Sequence, residues 1–179
     1  MYRCVAYETL RQQVNPADVI ATEKIARSIS IVLEGQTTWL NNEDVSSHIR
    51  TPEVANVVSI IATHTPVRDA MRLQQRAWII THDGGVVEGR DIGTVVFPDA
   101  DVKIFLTASP EERAKRRVAQ SGGVIADVAA GIAERDRIDS TRDDSPLRPA
   151  EDALVVDSTG KSIDDVVNEI VSLYSERIG

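Results

Sequence analysis

Cysteine is nearly absent from this chain of 179 residues, with Cys4 the only one. That excludes an internal disulfide or a multi-cysteine metal site, and Cys4 itself reads as a small buried hydrophobe. Long apolar runs are missing too. None approaches the roughly 18 residues needed to span a bilayer, and the N-terminus lacks the basic-then-apolar order of a secretory leader, so a cytoplasmic protein is expected. Positive charge is in deficit: the net charge is -8 and the pI about 4.9. Nucleic acids and anionic membranes are bound through clustered positive charge, so neither is an expected partner. Lysine is scarce, with only Lys24, Lys103, Lys115 and Lys161. The remaining basic residues are arginines, the side chain suited to bidentate phosphate contacts, although genome base composition is another source of such a bias. A confined phosphate pocket therefore stays open as a function.

Chemical motifs are missing as well. His48, His64 and His82 have no metal-ligand spacing, and there is no Ser/His/Asp signature. Thr159-Gly160-Lys161-Ser162 looks like the end of a phosphate-binding loop, but GxxxxGK[ST] needs glycine where Val155 stands, so the segment reads as a helix-capping turn. These residues contain no other Gly-Lys pair.

Hydrophobic content of 42% with 27% charged residues is that of an ordinary globular protein, and the length suits one compact domain with a small insertion. Residues 2–14 read as a helix carrying Val5, Leu10 and Val14 on one face and broken by Asn15-Pro16, and a second helix runs to about Arg27. The period then changes to two. Ile29, Ile31 and Leu33 alternate, residues 34–36 turn, and residues 38–40 return as a hairpin partner. Thr51-Pro52-Glu53 starts a helix with Val54, Val57, Val58 and Ile61 at helical spacing, and Thr65-Pro66 repeats the device for a helix to about Ile79. Residues 86–89 and 102–106 read as short buried parallel strands. Ser109-Pro110-Glu111-Glu112 is a capping box into a basic helix. A strand over 153–156, a turn over 157–160 and a helix from Ser162 with an apolar side (Ile163, Val166, Val167, Ile170, Val171, Tyr174) complete the chain. Strands alternating with helices predict an α/β fold with a parallel sheet, whose ligands lie beyond the carboxyl ends of the strands.

Three clusters carry candidate chemistry. The densest is residues 134–144, where Arg135, Asp139 and Arg142 share one side of a helix at i, i+4 and i+7. Either this is a solvated helix end laced with ion pairs, or it is a mobile lid whose arginines clamp a phosphate while Asp139 orients them or meets a sugar hydroxyl. Gly89-Arg90-Asp91-Ile92-Gly93-Thr94, following a predicted strand, is either a βα loop with a local salt bridge or a ligand site. Arg113 and Arg117, at i and i+4, form a third pair, readable also as a basic helix surface.

The runs GRDIGTVVFPDADVKIFLTASPEERAKRR, IRTPEVANVVS, VRDAMRLQQR, ERDRIDSTR and ALVVDSTG resemble the bacterial cytidylate kinases, in that family's order and over nearly the whole chain. The resemblance implies a parallel-sheet P-loop nucleoside monophosphate kinase fold, N-terminally truncated, with an inserted monophosphate-binding segment and a lid. Its domain boundaries would be core over 1–18, 63–115 and 145–179, insertion over 19–62 and lid over 116–144. The implied reaction moves the γ-phosphoryl of ATP, with Mg²⁺, to CMP or dCMP. Ser59, Arg68 and Asp91 would contact the cytosine. Arg3, Arg90, Arg135 and Arg142 would hold the monophosphate, with Arg90, Arg135 and Arg142 as the catalytic set. Asp139 would meet the ribose, and Arg113 and Arg117 would serve ATP. A monomer is expected. In that family Met-Tyr-Arg is internal, so Met1-Tyr2-Arg3 looks like a start preceded by roughly 40 further residues that carry the phosphate-binding loop. Val118 to Ala133 looks a few residues shorter than is usual there. The competing expectation is a noncatalytic cytidine-monophosphate-binding remnant, or a decayed structural relative.

Overall fold

The computed structural model describes residues 1–141 and 143–179, so Arg142 lies outside the described residues. The chain divides into two compact units, Met1–Gly85 and Val86–Gly179.

In the first unit α1 (Tyr2–Arg11) packs on α3 (Pro52–Ile61), and α2 (Val19–Ser28) packs on α4 (Thr65–Thr81). The chain between α2 and α3 forms a small antiparallel sheet, β1 (Ile31–Glu34), β2 (Thr37–Leu40) and β3 (Glu43–Asp44). The predicted hairpin is present, pairing Ile31 with Leu40 and Glu34 with Thr37 across a turn at Gly35, whose φ of 57° suits a residue without a Cβ. The third strand was not predicted; two residues are too few to show a period. The first helix ends earlier than predicted, at Arg11. Gln13 takes a φ of 54°, and the Val14 amide folds back to the Thr9 carbonyl.

The start of α3 is as the sequence implies. The Thr51 hydroxyl accepts from the Val54 amide, and Val54, Val57, Val58 and Ile61 are all buried. Burying each such side chain contributes about 1.5 to 3 kcal/mol. Cys4 is buried with them. The device is not repeated at α4, where the preceding residue, His64, makes no capping bond. Its imidazole instead lies in the interior, with Nδ1 3.0 Å from the Thr22 hydroxyl oxygen. That hydroxyl donates to the Asp18 carbonyl at 2.7 Å, so the ring nitrogen is the donor to Thr22.

Burial holds the His64 imidazole below its ordinary value of 6.5, against a smaller upward pull from Asp18. The unfolded chain therefore takes up a proton at a higher pH than the folded one. The stability associated with a neutral His64 is present above about pH 6.5 and lost as pH falls below it. Urea midpoints between pH 7.5 and 5 are expected to drop in the unmodified protein and to drop less in His64→Gln. Parallel curves for the two would show that His64 is not the group responsible.

The second unit carries the parallel α/β arrangement predicted from the sequence. β4 (Ile104–Thr107) pairs in parallel with β5 (Leu154–Asp157), Ile104 opposite Leu154 and Thr107 opposite Asp157, so both strands end level. Between them run α5 (Pro110–Ser121) and α6 (Ile125–Thr141), joined through Gly122 and Gly123 and packed on each other, and α7 (Ile163–Ile178) follows β5.

Two expectations fail here, one for residues 86–89 and one for β4. Residues 86–89 form no strand, because among the described residues none presents a ladder to them, and Val86 is almost fully exposed. β4 is not buried, since Leu106 remains 55% exposed. The apolar side of α7 has no buried residue, and Ile163, Val167, Val171 and Tyr174 are all exposed. Its N-terminus is nevertheless a full capping box: Ser162 accepts from the Asp165 amide, and the Asp165 carboxylate accepts from the Ser162 amide. The box at α5 is only half made. Ser109 accepts from the Glu112 amide, but the Glu112 carboxylate is engaged by Arg116.

Candidate functional site

At the carboxyl ends of β4 and β5 the two following loops are stapled together. The Ser158 amide and hydroxyl both donate to the Thr107 carbonyl, at 2.8 and 2.9 Å, and the Ser109 amide donates to the Thr159 hydroxyl at 2.9 Å. Gly160, at φ 69°, lets the chain leave this turn. The Thr159 hydroxyl and amide donate to Asp157, which holds that carboxyl below its ordinary range. Arg116 locks the turn from α5, with Nη2 on the Ser158 carbonyl at 2.6 Å and Nη1 on its hydroxyl at 3.0 Å.

The charged cluster of this unit is built around two aspartates of α6. Asp139 is buried, and its Oδ2 lies 2.8 Å from Nε of Arg90 and 3.9 Å from Nε of Arg135. Asp136, one turn earlier, lies 2.5 Å from Nη1 of Arg113 and 3.8 Å from Nη1 of Arg90. Arg113 stands in the first turn of α5, which opens two residues after β4 ends, so the cluster lies at the carboxyl end of that strand, where α/β ligands collect.

Arg90 and Asp91 sit ahead of a π-helical turn, Ile92–Val96, in which the Asp91 carbonyl accepts from the Val95 and Val96 amides. Glycine is required just before them. A Cβ on Gly89 would lie 2.8 Å from Cγ1 of Ile92. The Asp91 side chain is buried.

The structure thus brings together Arg90, Asp139 and Arg135, three of the residues picked from sequence, and joins Arg113 to them through Asp136. Arg117 is exposed, while Arg113 is turned toward Asp136 and Arg116 toward Ser158. Asp136, Arg116 and Ser158 escaped the sequence reading. The only sequence signals for them were membership in the charge run, in the basic helix and in the turn. In the first unit, Arg3 of α1 donates to the Ile49 carbonyl at 2.8 Å. Ser59 is half-buried on α3, and Arg68 is buried on α4, donating to the Ala62 carbonyl at 3.2 Å. Among the described residues no group of three His, Cys, Asp or Glu is arranged to hold a metal ion.

A parallel strand pair with its loops stapled at the carboxyl end, and arginines from separate segments gathered on carboxylates there, is an α/β arrangement whose cations could accept phosphate oxygens. The comparisons with known proteins narrow that class. The family model described as Cytidylate kinase matches residues 1–176. The cytidylate kinase of Geobacillus sp. (strain WCH70) is 46% identical, covering all of this chain and 84% of its own length. That of Listeria innocua serovar 6a is 43% identical, covering 99% of this chain and 83% of its own length. The bifunctional pantoate ligase/cytidylate kinase of Synechococcus sp. (strain CC9902) is 44% identical, and there the chain spans only 39% of the relative's length.

The chain belongs to the cytidylate kinase family, and with it to the P-loop nucleoside monophosphate kinase fold. Relatives matched over the full chain are named cytidylate kinase, which does not favour the noncatalytic alternative.

Proposed function

We propose that this protein transfers the γ-phosphoryl group of MgATP to CMP or dCMP, giving CDP or dCDP. The observation that carries the proposal is the Arg90, Arg113, Arg135 cluster on Asp136 and Asp139, beside loops stapled at the carboxyl ends of β4 and β5. Phosphoryl transfer asks little covalent chemistry of a protein. It asks for in-line positioning and neutralisation of spreading negative charge, which converging guanidinium groups supply.

In this reading Arg90 and Arg135, with Arg3 and Arg142, hold the acceptor phosphate, and Asp139 accepts from the ribose. Ser59, Arg68 and Asp91 read the cytosine, and Arg113 and Arg117 serve the ATP side. Mg²⁺ arrives with the phosphates of ATP and neutralises their charge when bound. The described residues include no cluster that fits it, so no side chain is assigned as its ligand. Asp139 keeps the arginines aimed before substrate arrives, which spares the site that reorganisation during transfer. Closure of α5 and α6 over the nucleotides would exclude water that competes for the phosphoryl group.

The same reading has the protein act as a monomer. Among the described residues no helix is long and apolar enough to cross a membrane, in keeping with a cytoplasmic enzyme acting on small nucleotides.

The test is coupled ADP release with CMP, dCMP and UMP as acceptors. CMP and dCMP are expected to support turnover. Binding of CMP without turnover in the presence of MgATP would overturn the proposal in favour of a nucleotide-binding protein.

A further inference from the structure

Asp136 reaches two arginines from two different segments, neither of them its own helix. Its Oδ2 lies 2.5 Å from Nη1 of Arg113, on α5, and its Oδ1 lies 3.8 Å from Nη1 of Arg90, in the loop before the π-helical turn. Without an intervening negative charge two guanidinium groups held this close repel each other, so the carboxylate sets their spacing. The two aspartates of the cluster differ in burial. The side chain of Asp139 is 9% exposed and that of Asp136 is 27% exposed. A buried carboxylate cannot give up its cation without being left uncompensated, whereas a partly solvated one can turn to water. Asp139 is therefore the fixed anchor of Arg90, and Asp136 the exchangeable partner. Arg113 also has donor capacity to spare, since its Nε is buried with no hydrogen-bond acceptor among the described residues.

We propose that Asp136 is a positioning residue for the transfer: its carboxylate holds Arg113 and Arg90 at a set spacing in the ligand-free lid and yields them to phosphate oxygens when nucleotides bind. This rests on the reading that Arg90 faces the acceptor phosphate and Arg113 the ATP side. Asp136 then ties the donor and acceptor cations together before either substrate arrives, and it competes with phosphate for both.

The competition separates this role from a purely structural one. In Asp136→Asn the internal competitor is gone, so inorganic phosphate, titrated calorimetrically without nucleotide, is expected to bind about threefold or more tighter. The same variant is expected to lose about tenfold or more in kcat, because the arginines are no longer pre-set. Its ranking of CMP, dCMP and UMP should not move. Asp136→Glu, which keeps the charge, is expected to recover most of the kcat and the weak phosphate affinity, and Asp136→Ser, which also removes the charge, repeats the test if the asparagine variant folds poorly. Unchanged or weaker phosphate affinity in Asp136→Asn would reduce the residue to a structural role and overturn the proposal, as would unmodified kcat. The phosphate titration needs no turnover. An unmodified protein inactive on CMP would sink the functional reading, while the titration still decides the role of Asp136.

Discussion

Arg135→Ala is expected to lower kcat/KM for CMP, dCMP and UMP alike, by about 10²- to 10³-fold, the cost of removing one preorganised donor to a developing charge. The loss should be uniform because the phosphate is common to every acceptor. Arg135 stands 3.9 Å from Asp139 with a side chain 36% exposed, and that pair by itself contributes about 0 to 1 kcal/mol of stability. Arg90→Ala should match it in turnover but not in stability. Arg90 forms a 2.8 Å ion pair with the buried carboxylate of Asp139, and removing the cation leaves that buried charge less compensated, which lowers stability. Steady-state kinetics on the three acceptors with melting curves for each variant decide the matter. A loss confined to one acceptor would remove Arg135 from phosphate binding.

The second large effect concerns the base. In Arg68→Ala and Asp91→Ala the ratio of kcat/KM for CMP to that for UMP is expected to shift by about 10- to 100-fold, because a site built to hydrogen-bond a base edge discriminates through the buried polar group left unpaired. Both side chains are buried, at 2% and 8% exposure, which is the condition for such discrimination. Arg68→Ala also strips the Ala62 carbonyl of its 3.2 Å donor, so some stability is lost with it. The ratio isolates recognition, since a folding defect lowers turnover of CMP and UMP together. An unchanged ratio in both variants would exclude these residues from reading the base.

Local hydrogen bonding explains which parts of the fold were legible. The N-cap of α3 is a bond between residues three apart, Thr51 to Val54, and the capping residue with its following proline announces it. The apolar face of α3 is equally legible, since a 3.6-residue period needs no partner to be seen. The hairpin was readable because its turn joins strands four residues long. Residues 86–89 misled because a short apolar run is a strand only when another strand offers it a ladder, and propensity does not contain the partner. The apolar stripe of α7 was read correctly as a stripe, but its burial depends on neighbours that the helix period does not name.

For the site, the sequence by itself determined the residue types and their grouping: a charge run with Arg135 and Asp139 one helical turn apart, a glycine-arginine-aspartate loop, a basic helix after Ser109. Only the tertiary structure decided which arginine serves which carboxylate. Arg113, Arg116 and Arg117 are near equivalents on the helix, yet the first turns to Asp136, 23 residues on, the second to Ser158, 42 residues on, and the third to solvent. An ion pair depends on distance in space and on the burial of both partners, and neither quantity is a property of spacing along one helix.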